Sequence, residues 1–96
     1  MKFMIFTEDK VGGLKLRQAS RPAHLEHLKA DQSVSVLGAG PWLGEDEKPK
    51  GSLLVVEANC INCVNAWLEN DPYVKAGLTA KTTIHPLGGW TETVGV

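Results

Sequence analysis

The stretch RPAHLEHLKA, from Arg21 to Ala30, sets an arginine and a histidine among residues with the spacing of an amphipathic helix. At about 100° per position Leu25 and Leu28 mark the face to be buried. Arg21 projects between them, and His24 falls at the edge of that face, one turn from Arg21. An imidazole in that place can be tuned by desolvation or by a carboxylate for proton transfer near neutral pH. A guanidinium one turn away can hold a carboxylate or phenolate oxygen. The plainer account has Arg21 extending its head to water and His24 satisfied at the helix edge, and periodicity alone favours it. His27 and Glu26 point away from the buried face, so His27 reads as a solvated surface residue.

Asp71 precedes Pro72, the pattern of a helix N-cap followed by proline in the first turn, and capping alone accounts for an aspartate there. Asp9, at the end of an apolar run and before a glycine pair, reads first as a turn residue and second as a carboxylate at a pocket edge that joins His24. Tyr73 offers a hydroxyl to a ligand or packs on a helix. Trp42 and Trp90 suit a pocket wall or a core. Cys60 and Cys63 form a C-x-x-C after a strand and at the start of a helix, the setting of a thiol redox motif. No tryptophan, glycine or proline accompanies the motif, so redox work ranks below the histidine. Two cysteines fall short of a tetrahedral zinc set, and no metal is expected. GAGPWLG lacks the lysine, serine and following helix of a phosphate loop.

The elements that must position these residues follow from patterning. KFMIFTED, residues 2–9, is apolar on both alternating sets and reads as a strand covered on both faces. Gly12 and Gly13 break it. LKLRQAS is a short helical piece, and Ser20 caps a second piece running to about Asp31. SVSVLGAGPWLG reads as a strand ending in a turn at Gly40-Pro41, followed by a charged hairpin loop, EDEKPK, and a strand in GSLLVVEA. Asn59 caps a helix over CINCVNAWLEN, in which Val64, Trp67 and Leu68 recur at helical spacing. A short turn opens at Asp71, and LTAKTTIHPL is the last strand, carrying His85. The tail WTETVGV reads as extended or loose.

The order strand, helix, strand, strand, helix, strand is the βαββαβ arrangement of a ferredoxin-like α+β fold with a four-stranded antiparallel sheet. Two helices cover one face of such a sheet, so strands apolar on both faces predict a homodimer with two sheets face to face. The 96 residues read as one domain, 1–96. A net charge of −1, with no run of basic residues among aromatics, argues against nucleic acid or an anionic membrane as partner. The apolar run at the start is too short for a signal peptide, and no segment reads as membrane-spanning, so a cytoplasmic protein with reduced thiols is expected.

RQASRPAHLEHL, GAGPWL, KGSLLVVEA, ENDPYVKAGL and IHPL, in that order, resemble the YCII-like family over nearly the whole chain. The pair R-x-x-H-L and D-P-Y-V-x-A-G carries most of the resemblance. It implies a ferredoxin-like homodimer, a dimeric α+β barrel related in shape to muconolactone isomerase, with a histidine and an aspartate suspected of acid–base chemistry. By matching motif these are His24 and Asp71. The expected function is a small-molecule enzyme of lyase or isomerase type, needing no cofactor. His24 moves a proton, Asp71 orients it, and Arg21 or Arg17 holds an anionic substrate group, with Asp9 and Tyr73 as further substrate contacts. The competing expectation is a non-catalytic dimeric ligand-binding or accessory domain.

Overall fold

A computed structural model of the chain describes residues 1–30 and 33–88. Its strands are β1 (Lys2–Asp9), β2 (Ser35–Leu43), β3 (Pro49–Glu57) and β4 (Thr79–Leu87), and its helices α1 (Leu14–Lys29), α2 (Ile61–Glu69) and α3 (Pro72–Lys75). The four strands form one antiparallel sheet in the order β2-β3-β1-β4. This is the ferredoxin-like α+β fold with a short extra helix, and the sheet is open rather than closed into a barrel.

Alternation along the two central strands sorts their side chains into two layers. Phe3 and Ile5 of β1 stand opposite Val56 and Leu54 of β3, and these four join Val34, Val64, Trp67 and Leu68 in the core. Met4 and Phe6 belong to the other face, opposite Val55 and Leu53. There Trp42 reaches from β2 across β3. It stacks on Phe6 at 5.3 Å and its indole N–H donates to the Thr7 carbonyl at 2.7 Å. Gly51 lies beneath that indole, where a β-carbon would overlap both the Trp42 ring and the Thr7 carbonyl.

Three expected boundaries are corrected. The helix is not broken at Ser20: α1 is continuous, starts after Gly13 and carries Pro22 inside it. An interior proline forfeits one backbone bond and costs about 3 kcal/mol. It is tolerated here between Arg17 and His24, the two buried residues of the helix, both tied to side chains on other elements. Gly40-Pro41 does not turn the chain. Pro41 sits inside β2, an edge strand, where a missing N–H is least costly. The turn comes at Gly44, whose N–H bonds to the Lys48 carbonyl at 3.0 Å. Asn59 is not the cap of α2; Cys60 occupies that position in extended backbone. Asp31, Trp90 and the expected tail lie outside the described residues. No helix among the described residues is long and apolar enough to cross a membrane.

Candidate functional site

Arg17 and His24 are seven positions apart on α1, two turns along one stripe, and that stripe faces α3 and the sheet. A buried guanidinium must recover in pairing what it loses in hydration. Arg17 Nε donates to Asp9 Oδ2 at 2.7 Å and Nη2 to Asp9 Oδ1 at 3.1 Å, a bidentate pair. Nη2 also donates to Ser52 Oγ at 2.8 Å. Asp9 is presented by the end of β1 and Ser52 by β3, so the pair ties α1 to the sheet.

His24 is held through its other neighbour. Nδ1 lies 2.8 Å from Asp71 Oδ1, both side chains being buried. Asp71 is also the N-cap of α3: the same Oδ1 accepts from the Tyr73 backbone N–H at 3.0 Å. Capping and imidazole orientation thus fall on a single oxygen. A carboxylate oxygen accepts, so Nδ1 carries the proton, and in the neutral imidazole Nε2 is then the nitrogen with the free lone pair. α3 is closed by Gly77, in the left-handed region at φ 80°, where the Leu78 N–H bonds back to the Tyr73 carbonyl at 3.0 Å.

Tyr73 lies between the two α1 residues. The His24 ring stacks on it at 3.8 Å and 12°, and the Arg17 guanidinium carbon sits 4.6 Å from the ring centroid. With an imidazole that close on one face, only the other face is left for the cation. Burial pushes the Tyr73 hydroxyl above its ordinary pKa, against the opposing pull of Arg17 and Arg21. At neutral pH it is a phenol, a donor as well as an acceptor.

These residues border a cavity of about 310 Å³, of the size that takes a small molecule. Arg17, Arg21, His24 and Tyr73 supply its polar wall, and Leu25, Leu28 and Pro41 part of its apolar one. Arg21 is exposed and has no ion-pair partner among the described residues. Arg21 shares the cavity-facing side of α1 with Leu25 and Leu28 but is exposed, as the plainer account has it, and the buried arginine of that side is Arg17. Asp9 meets Arg17 rather than His24, and neither Asp9 nor Asp71 lines the cavity.

Other candidates fall elsewhere. His27 is half-buried rather than solvated: it stacks on Trp67 at 4.8 Å, with Nε2 3.1 Å from the Trp67 carbonyl. His85 is exposed on β4. Trp42 borders a second cavity, between the β1–α1 loop and the β2–β3 hairpin. No cluster of three or more metal-ligating side chains occurs among the described residues. Ser52 and Gln18 were not anticipated as cavity residues. For Ser52 a signal existed: on β3 it continues the inward set of Leu54 and Val56, as Thr7 continues Phe3 and Ile5 on β1. A polar residue on a core-facing set needs a partner. Ser52 has Arg17 and Thr7, whose Oγ1 accepts from the Ser52 N–H at 3.0 Å.

A YCII-related domain model matches residues 1–88. The chain is 31% identical over 93 residues to protein YciI of Escherichia coli, spanning 90% of this chain and 95% of that one. It is 32% identical over 83 residues to the derivative of benzaldehyde biosynthesis cluster protein C of Emericella nidulans, spanning 78% and 85%. Among solved structures it is similar to 5-chloro-2-hydroxyhydroquinone dehydrochlorinase (TftG) of Burkholderia phenoliruptrix, in complex with 2,5-dihydroxybenzoquinone. That likeness has a TM-score of 0.78 and 36% identity, over 91% of this chain and 93% of the other.

Proposed function

The chain belongs to the YCII-related domain family, and from that premise we propose that it is a small-molecule enzyme of lyase or isomerase type, working by acid–base chemistry of its own side chains in a homodimer. The observation that carries this reading is the buried pair His24–Asp71 beside the cavity. With Nδ1 held by the carboxylate, Nε2 is the atom left to take a proton. In the proposed step Nε2 removes a proton from carbon next to a carbonyl of a cyclic substrate; the C–H electron pair becomes the C=C bond of an enolate as the carbonyl π pair moves onto oxygen. Arg21 holds that oxyanion and Tyr73 donates to it. The electron pair then returns, either expelling a leaving group, as a lyase, or taking the proton back at another carbon, as an isomerase. The dehydrochlorinase relative, whose complex holds a hydroxylated quinone, supports a flat oxygenated ring as the substrate class.

The test is turnover. The purified protein is offered hydroxylated lactones and halogenated hydroxyquinols, with product and halide release followed beside His24→Ala. The expected result is turnover that falls by about 10²-fold or more in the variant. Turnover unchanged in His24→Ala removes the proposed base.

A second reading, a non-catalytic dimeric ligand-binding or accessory domain, is favoured by one feature: Arg17, Asp9, His24 and Asp71 satisfy one another within the protein. It predicts that the protein binds such rings without converting them and that His24→Ala leaves affinity unchanged.

The homodimer draws on the sheet face that carries Met4, Phe6, Trp42 and Leu53, the last 46% exposed. Apolar residues in the middle of an open sheet face suit a second copy of that face. Sedimentation equilibrium of the wild type and Leu53→Glu tests this, with a dimer expected for the first and a monomer for the second.

A further inference from the structure

Cys60 and Cys63 stand outside the cavity, at the amino end of α2, with their sulfur atoms 3.2 Å apart and no disulfide between them. Cys60 is at the N-cap position, exposed, with φ −158° and ψ 168°. Cys63 lies in the first turn and packs partly against the core. One sulfur is therefore open to a reagent from solvent, while the other is half-shielded and already touches the first. Attack by one thiol and resolution by a second need this division of roles. α2 covers the core side of the sheet, so the sheet-to-sheet contact proposed above leaves the pair accessible.

We propose that Cys60 and Cys63 form a thiol–disulfide exchange site whose co-reactant is a small-molecule disulfide, R–S–S–R. In the first step the Cys60 thiolate attacks one sulfur of the reagent. The new Cys60–S–R bond forms as the reagent's S–S bond breaks, and R–S⁻ leaves to take up the proton that Cys60 released. In the second step Cys63 loses its proton and attacks Cys60 Sγ. The protein disulfide forms, and the second R–S⁻ leaves and is protonated. The dithiol is oxidised by two electrons, and R–S–S–R is reduced to two R–SH.

The local electrostatics favour Cys60 as the attacker. The Cys63 thiol hydrogen-bonds to the Cys60 sulfur and holds its pKa below the usual thiol value, with help from the backbone N–H groups of Cys63 and Asn62. The same hydrogen bond, with burial and the Cys60 charge, pushes Cys63 up. Capture of Cys60 in a mixed disulfide removes that charge and frees Cys63 to ionise for the second step.

The experiment uses the full reduced chain and oxidised glutathione at neutral pH, quenched with acid and read by intact mass and peptide mapping. The expected result is a chain lighter by two hydrogens, with Cys60 joined to Cys63 and restored by dithiothreitol. Cys63→Ser is expected to stop as a glutathione adduct on Cys60. In the reduced wild type, iodoacetamide should modify Cys60 about tenfold faster than Cys63. A chain that stays reduced at equilibrium overturns the proposal, as do stable adducts on both cysteines or a disulfide between two chains. None of these readouts depends on the cavity or on catalysis.

Discussion

The His24 imidazole lies flat on the Tyr73 ring, 3.8 Å between centroids and 12° between planes. Tyr73 is thereby both the floor of the proposed base and a hydroxyl at the cavity, and its hydroxyl proton can be followed by itself because the chain has one tyrosine. Burial raises its pKa, so the folded chain keeps a proton that the unfolded chain loses near pH 10. The unfolded state then binds fewer protons, and stability from this group, complete below pH 10, declines as pH rises through the folded value. The expected outcome is a tyrosinate absorbance that rises at higher pH in the native protein than in the same protein in denaturant. Coincident curves would show the ring to be solvated.

Asp71 separates two roles that share one atom. The substitution Asp71→Asn keeps an oxygen for the Tyr73 N–H and loses the charge beside His24, whereas Asp71→Ala loses both. Asparagine caps about as well as aspartate, so Asp71→Asn should cost less than about 1 kcal/mol of stability. Asp71→Ala should cost about 2 to 4 kcal/mol, from the lost cap and a buried imidazole N–H without an acceptor. Urea unfolding measures both. Turnover should fall about 10²-fold in Asp71→Asn despite the intact fold, and histidine ¹⁵N shifts should report the changed hydrogen bond at Nδ1.

Arg17 and Asp9 hold α1 to the sheet end, and their contribution should be strongly non-additive. Arg17→Met leaves a buried carboxylate without its cation and should cost about 3 to 5 kcal/mol in chemical denaturation. Asp9→Leu combined with Arg17→Met should cost at least about 2 kcal/mol less than the sum of the single changes. Additive costs would mean that the two side chains are not coupled.

Much of this frame is legible in the residues. KFMIFTED already declares a two-faced strand, and Asp71-Pro72 declares its cap. The site was harder to read because one proline hid a stripe. Dividing the helix at Ser20 puts Arg17 and His24 on separate pieces, so that Arg21 becomes the arginine nearest the buried face. Once α1 runs through Pro22, Arg17 and His24 share a stripe by simple helical arithmetic. Pairing across the fold is different in kind. No local pattern says that the Asp9 carboxylate goes to Arg17 and not to His24, since that depends on how the β1 end and α1 are brought together.

Arg21 supplies the sharpest distinction between holding the fold and holding a ligand. The charge of Arg17 is offset by Asp9, with Nε and Nη2 engaged, whereas Arg21 borders the same cavity without an ion-pair partner among the described residues. Arg21→Gln should therefore change stability by less than about 0.5 kcal/mol, as expected of an exposed side chain outside any network. If its guanidinium receives the oxyanion of the proposed reaction, affinity for an anionic ring of the proposed substrate class should drop about tenfold, the loss of one charge-assisted hydrogen bond. The salt dependence of binding should flatten at the same time, because the contact is partly solvated. Arg21→Lys should recover part of the affinity through charge and not all of it, since an ammonium cannot reproduce the fork. Calorimetric titration of the three proteins at two salt concentrations measures each effect. Equal affinity in wild type and Arg21→Gln would return anion binding to Arg17, whose Nη1 is the one guanidinium nitrogen not engaged by Asp9 or Ser52.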